Sequence, residues 1–301
     1  MIFVFLLYAL FASVFTISKV GLDYSAPFFF VGTRMLLAGV LLLSYQFLFQ
    51  REKFRVKKED VKRLLLLAIF NIYLTNTFEF WGLQYLTSFK TCFIYSLSPF
   101  VSALLSSLIF LEKMTTRKWI GLLVGFAGLM PVLLTQTTSE ERAGQLFLFS
   151  WAELAVMGAA ICSVYGWIIL KQLVSENGLT PILANGFSML IGGFFSLSHS
   201  LVAENWHPVP VSEYLPFLGC TLLLIVISNL VSYNLYGWLL KRFSATFMSF
   251  AGLTTPLFTA LFGWLYLGEV ITWPFYLSLF IVFLGLLVFY KEEQELFPVE
   301  A

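Results

Sequence analysis

Charge is what this sequence has least of. Only 12% of its 301 residues are Asp, Glu, Lys or Arg, and the formal net charge is +1. A soluble domain of this length carries about twice that charged share to cover its surface. The near-neutral balance gives no bulk electrostatic reason to bind nucleic acid or an acidic polymer. There are two histidines, His199 and His207, and three cysteines, Cys92, Cys162 and Cys220, each cysteine in an apolar stretch. An odd number without close spacing argues against a disulfide framework or a zinc site, so small apolar packing residues are expected. No Walker A loop is present, so ATP is not expected to be the direct energy source. There is no HExxH, no Cys/His cluster and no Gly-x-Ser-x-Gly elbow. No catalytic residues, no cofactor and no metal are therefore expected, and the chain does not read as an enzyme.

Apolar residues are abundant. They make up 59% of the chain, with 34 phenylalanines and a mean hydropathy of +0.86. A helix needs about 20 apolar residues to cross the hydrocarbon core. Ten runs qualify: 2–19, 28–49, 63–83, 89–111, 117–135, 150–171, 180–203, 213–239, 244–267 and 271–290. The fold class expected is all-α integral membrane, with ten transmembrane helices in one compact bundle and membrane lipids as surroundings. The first run lacks a basic n-region and a clear small-residue cleavage site, so it reads as a retained helix and not a signal peptide.

Lys and Arg set the direction. With the N-terminus inside, fourteen of the eighteen fall on inside segments: Arg51, Lys53, Arg55, Lys57, Lys58, Lys62, Arg63, Lys113, Arg117, Lys118, Lys171, Lys241, Arg242 and Lys291. The expectation is a multi-pass bacterial inner-membrane protein with both termini cytoplasmic.

The sequence also repeats itself. Shifted by 157 positions, Trp81 falls on Trp238, Pro99 on Pro256, Glu112 on Glu269 and Gly128 on Gly285. The strings SPFVSALLSSLIFLE and TPLFTALFGWLYLGE each put a Pro inside a span and a Glu at its end. The match covers spans 3–5 against 8–10, while the first two spans of each half need small gaps. The domain division expected is 1–136 for the first repeat and 137–301 for the second. Five spans per half is odd, so the halves sit in opposite orientations, a recurrent transporter design with its substrate site between them.

The chain resembles the drug/metabolite transporter superfamily, in its EamA-type ten-helix branch. The resemblance rests on Phe15, Lys19, Pro27 and Arg34, on YSLSPFVSALLSSLIFLEKMTTRKWIGLLVGFAG at 95–128, and on TTPLFTALFGWLYLGE at 254–269. It covers nearly the whole chain and is specific for fold, weak for substrate. It implies alternating access through a central cavity lined mainly by spans 1, 3, 4, 6, 8 and 9. One departure is that the GLLVGFAG segment has a single glycine counterpart, Gly285, in the second half. Packing at Gly121, Gly125 and Gly128 is therefore expected to be asymmetric.

Span 3 carries the candidate site. Asn71, Thr75 and Glu79 recur at i, i+4 and i+8, with Asn76 about 60° round from Glu79. A carboxylate in mid-span costs about 2.5–3.5 kcal/mol on insertion scales, so Glu79 is expected to face the bundle interior. The repeat places Ser228, Ser232, Tyr233 and Tyr236 opposite Asn71, Thr75, Asn76 and Glu79, so only the first stripe has a charge. Glu79 binds a cationic group or a coupling proton in one reading, and pairs structurally with Arg34 or Lys19 in the other. The candidate substrate-binding residues are Glu79, Asn71, Thr75, Asn76, Tyr95, Tyr165, Asn229, Tyr233 and Asn234. Lys19, Arg34, Glu112 and Glu269 read as gating or structural, and Pro99 and Pro256 as kinks or breaks. Lys90 is expected to snorkel at the outer edge.

The function expected is secondary transport of a small polar metabolite, in a monomer or homodimer. Within the family the chain looks closest to S-adenosylmethionine/S-adenosylhomocysteine exchangers of host-dependent bacteria. Alternatives of the same fold are transport of amino acids or export of amphiphilic amines. A lipid translocator or a non-transporting scaffold is the alternative of another class.

Overall fold

A computed structural model describes residues 2–110, 115–134, 138–243, 245–270 and 272–296. Ten long helical segments run through them: α1 (Ile2–Leu22), α2 (Pro27–Phe49), α3 (Lys58–Leu83), α4 (88–110), α5 (Thr116–Leu133), α6 (Trp151–Glu176), α7 (Pro181–Ala203), α8 (Tyr214–Leu239), α9 (245–267) and α10 (Trp273–Leu296). Eight are long and apolar enough to cross a membrane. In α5 and α10 the apolar stretches are shorter, at Trp119–Leu133 and Trp273–Gly285. A small hairpin pairs Gln145–Leu146 with Phe149–Ser150 before α6.

The helices are not uniform, and four of their irregularities repeat. The π segments at Gln172–Glu176 in α6 and Gly263–Leu267 in α9 have no counterpart among the described residues of the first half. The backbone widens to π geometry at Ala68–Leu74 in α3 and at Ile225–Ser232 in α8. It tightens to 3₁₀ geometry at Tyr95–Leu97 in α4 and at Gly252–Thr254 in α9. Both kinds of irregularity begin 157 residues apart, the step read from the sequence. The tightened turns fall just before Pro99 and Pro256, which lack the N–H a continuous helix would need.

Helix packing shows a twofold relation between the halves. A Cβ on Gly128 would lie 2.8 Å from the Val282 nitrogen, and one on Gly285 would lie 2.6 Å from the Gly125 nitrogen. The 157 step carries each α5–α10 contact onto the other. In α2 and α7 the contacts Gly32–Leu197 and Leu36–Gly193 exchange in the same way with a step of 161. That four-residue offset is the gap that blurred the first two spans of each repeat. The expected asymmetry at the glycines is therefore local. Where the second half has Val282 the first has Gly125, whose missing side chain leaves room for the Phe100 ring.

Candidate functional site

The widened turns displace carbonyls from their usual helical donors. Thr75 Oγ1 donates to the Phe70 carbonyl at 2.7 Å, and Ser232 Oγ donates to that of Ile227 at 2.7 Å. The amide of Asn76 donates to the Ile72 carbonyl at 2.9 Å, and the amide of Asn234 to that of Leu230 at 2.9 Å. Hydroxyl and amide side chains thus hold both distortions from within.

Between the halves lies a cavity of about 860 Å³, counted with its part open to solvent. Its walls come from α1, α3, α4, α6, α8 and α9, the six spans that the resemblance implied. Among the described lining residues Glu79 is the only one with an ionisable acidic or basic side chain. It is 8% exposed, and its Oε2 accepts a hydrogen bond from the Tyr95 hydroxyl at 2.5 Å. Phe15 meets the Tyr95 ring edge-on at 5.7 Å. Elsewhere in the lining Trp167 stacks on Tyr236 at 4.1 Å and lies 5.2 Å from Tyr233. Tyr8, Phe11 and Ser249 extend the lining toward the end that carries the N-terminus, within about two turns of the starts of α1 and α9. The site combines one carboxylate with a lining rich in aromatic rings.

Of the nine candidate binding residues, five line this cavity: Thr75, Asn76, Glu79, Tyr95 and Tyr233. Asn71 does not. The π segment adds a residue to the turn, rotating Asn71 away from Thr75 and Glu79 so that it packs against Gly166. Asn229 turns toward Met35 and Met189 for the same reason in α8. Asn234 is spent on the α8 carbonyls and on the Asn185 amide. Tyr165 lies on another face of α6, edge-on to Phe70 at 4.9 Å; its neighbour Trp167 takes the cavity wall.

The expected partnerships of the cations change. Neither Arg34 nor Lys19 forms an ion pair with Glu79 among the described residues. Arg34 is buried, with Nη2 donating to Asn76 Oδ1 at 2.7 Å and its guanidinium 4.7 Å from the Phe80 ring centre. It therefore orients a cavity amide. The Lys19 ammonium caps the C-terminus of α3, donating to the carbonyls of Leu83, Gln84 and Leu86 at 2.6, 3.1 and 2.8 Å. Lys90 also points inward, 2.6 Å from Glu140 and 2.8 Å from Glu153, with all three side chains buried. An apolar environment with two carboxylates in reach leaves snorkelling no advantage.

Glu269 follows the left-handed turn at Gly268 (φ 65°), which closes α9 and aims the carboxylate at the N-terminus of α4. It accepts from the Ser88 N–H at 2.7 Å and the Ser88 hydroxyl at 2.8 Å. Glu204 caps α2 likewise through Phe28 and Phe29. These contacts and those of Lys19 and Lys90 all lie at the end of the bundle opposite the N-terminus, and together they tie it shut. Glu112, the repeat partner of Glu269, lies outside the described residues. The breaks before Pro99 and Pro256 do line the cavity, through Tyr95, Ser98, Gly252 and Thr255.

The resemblance implied span 1 as a wall, but the sequence did not show which face of it turns inward: Tyr8, Phe11 and Val14 line the site alongside Phe15. An evenly apolar helix gives no periodic signal for the face that turns inward. Cys92, Ser163 and Ser249 were missed because small residues within spans usually serve packing.

The profile of the EamA-like transporter family matches residues 1–134 and again 150–291. A S-adenosylmethionine/S-adenosylhomocysteine transporter of Chlamydia muridarum is 38% identical over 96% of this chain and 91% of its own length. One of the same description from Chlamydia trachomatis serovar L2 is 39% identical over 96% of this chain and 88% of its own. A solved crystal structure, 14% identical, superposes with a TM-score of 0.69 over 98% of this chain and 96% of its own, which supports the fold alone. The match over both halves shows that the chain belongs to the EamA-like transporter family, within the drug/metabolite transporter superfamily.

Proposed function

We propose that this transporter exchanges S-adenosylmethionine for S-adenosylhomocysteine, without an enzymatic step, by alternating access between the halves 1–136 and 137–301. The observation that carries the reading is that the described lining of the cavity combines one carboxylate, Glu79, with several aromatic rings. S-adenosylmethionine combines a sulfonium and an ammonium with a flat adenine. Glu79 suits the cationic groups, and Trp167, Tyr233 and Tyr236 offer ring faces for the base. The identity to the two chlamydial proteins supports the same substrate pair. The bias of Lys and Arg to one side supports both termini being cytoplasmic in a bacterial inner membrane. The geometry described is then closed toward the outside.

The test is exchange in liposomes containing purified protein and internal S-adenosylhomocysteine. Labelled S-adenosylmethionine enters, and the entry requires the internal partner. Protein that fails this exchange yet moves another solute from a metabolite panel overturns the substrate assignment.

A further inference from the structure

A second cavity lies at the end of the bundle that carries the N-terminus. It measures about 1380 Å³, counted with its part open to solvent. Residues 53–57 between α2 and α3, Asp60 of α3, residues 177–180 between α6 and α7, and Lys241 beyond α8 frame it. Four cations line it: Lys53, Arg55, Lys57 and Lys241. The one lining carboxylate, Asp60, is already engaged by the Lys57 N–H at 3.3 Å and by the Asn177 amide. None of the four cations forms an ion pair among the described residues. Glu52, Glu59 and Glu176 are exposed nearby and do not line the cavity. Among the described residues the pocket thus sets four cations against one carboxylate, and leaves a net positive charge.

Its depth indicates what supplies the counter-charge. α2 ends beside it with Phe47, Leu48 and Phe49 exposed. The Arg51 guanidinium lies 5.3 Å over the Phe47 ring, and that of Arg242 lies 4.3 Å over the partly exposed Trp238 ring. Aromatic rings with cations above them at helix ends mark the level where hydrocarbon gives way to headgroups. At that level the nearest fixed anions are lipid phosphates, and each basic residue near them adds to the attraction. We propose that this pocket binds the phosphate headgroup of an anionic phospholipid through Lys53, Arg55, Lys57 and Lys241. The pocket draws on both halves of the sequence, so a bound lipid bridges them at this end.

Native mass spectrometry of the purified full-length protein, titrated with phosphatidylglycerol or phosphatidylcholine, tests the site. Phosphatidylglycerol is expected to bind more tightly. The variant K53Q/R55Q/K57Q/K241Q should weaken it by about tenfold or more, while K58Q/K62Q, which removes exposed charge outside the pocket, should keep it. Should the fourfold variant fail to insert, K241E alone is expected to weaken binding by about threefold or more. Equal weakening in K58Q/K62Q, no weakening in the pocket variants, or displacement of the lipid by millimolar inorganic phosphate would overturn the proposal.

Discussion

Glu79 is a carboxylate deep in the bundle whose direct partner is a neutral hydroxyl. Placing it there costs about 2.5–3.5 kcal/mol on insertion scales. A hydrogen bond to a charged group returns about 1.5–3 kcal/mol, so Tyr95 alone comes close to offsetting that cost. Among the described residues no cation forms an ion pair with Glu79, which leaves its charge available to one that arrives. Glu79→Gln keeps the shape and removes the charge. We expect it to slow S-adenosylmethionine exchange by about tenfold or more, equivalent to about 1.4 kcal/mol, and to affect the uncharged sulfur of S-adenosylhomocysteine less. Equal loss for both substrates in the liposome assay would count against a sulfonium contact. Tyr95→Phe frees the carboxylate to move, and a few-fold rise in KM at unchanged maximal rate is its expected signature.

At the scale of elements, two devices hold the helices in register. One is the glycine contact between α5 and α10, where backbones approach too closely for a side chain. Gly285→Ala forces that interface apart, with an expected cost of about 1–3 kcal/mol, read as a lower melting temperature in detergent; unchanged melting would show that the interface has slack. The other is Lys90, which joins α4 to Glu153 of α6 and to Glu140. Lys90→Ala leaves two carboxylates buried together. We expect a loss of about 3–5 kcal/mol, and chemical unfolding in detergent would reveal it. The π turns of α3 and α8 are a third element-scale feature. They put Thr75 and Glu79 on the cavity while turning Asn71 and Asn229 aside, so they decide which polar groups are available to substrate.

On the scale of the whole molecule, the end opposite the N-terminus is tied by Glu269 on α4, Lys19 on α3 and Glu204 on α2. These are charged groups set on helix termini, which are favourable without a second buried ion. The contacts that cross between the halves, Glu269 on α4 and Glu204 on α2, must part for this end to open. The doubly substituted protein S88C/E269C places two thiols across the closure between α4 and α9. Oxidation is expected to stop exchange and reductant to restore it. Full exchange by the oxidised, crosslinked protein would show that these helices need not separate.

The sequence by itself determined the class, the ten helices and the internal symmetry. Those depend on properties summed over many residues: mean apolarity, basic bias and a spacing of 157 that also carried over to the π and 3₁₀ turns. It also singled out Glu79, because a mid-span charge is rare enough to stand alone. Tertiary structure decided which polar neighbours join it. Asn71 sits on the same ideal helical face as Thr75, and only the widened turn, held by Thr75 and Asn76 against their own backbone, separates them. It also decided the partners of Lys19, which read as gating or structural, and of Lys90, which read as snorkelling, by placing α3, Glu140 and Glu153 beside them. Hydropathy records the cost of a charge in the membrane but not the distant group that offsets it, and that group is brought near only by the packing of the helices.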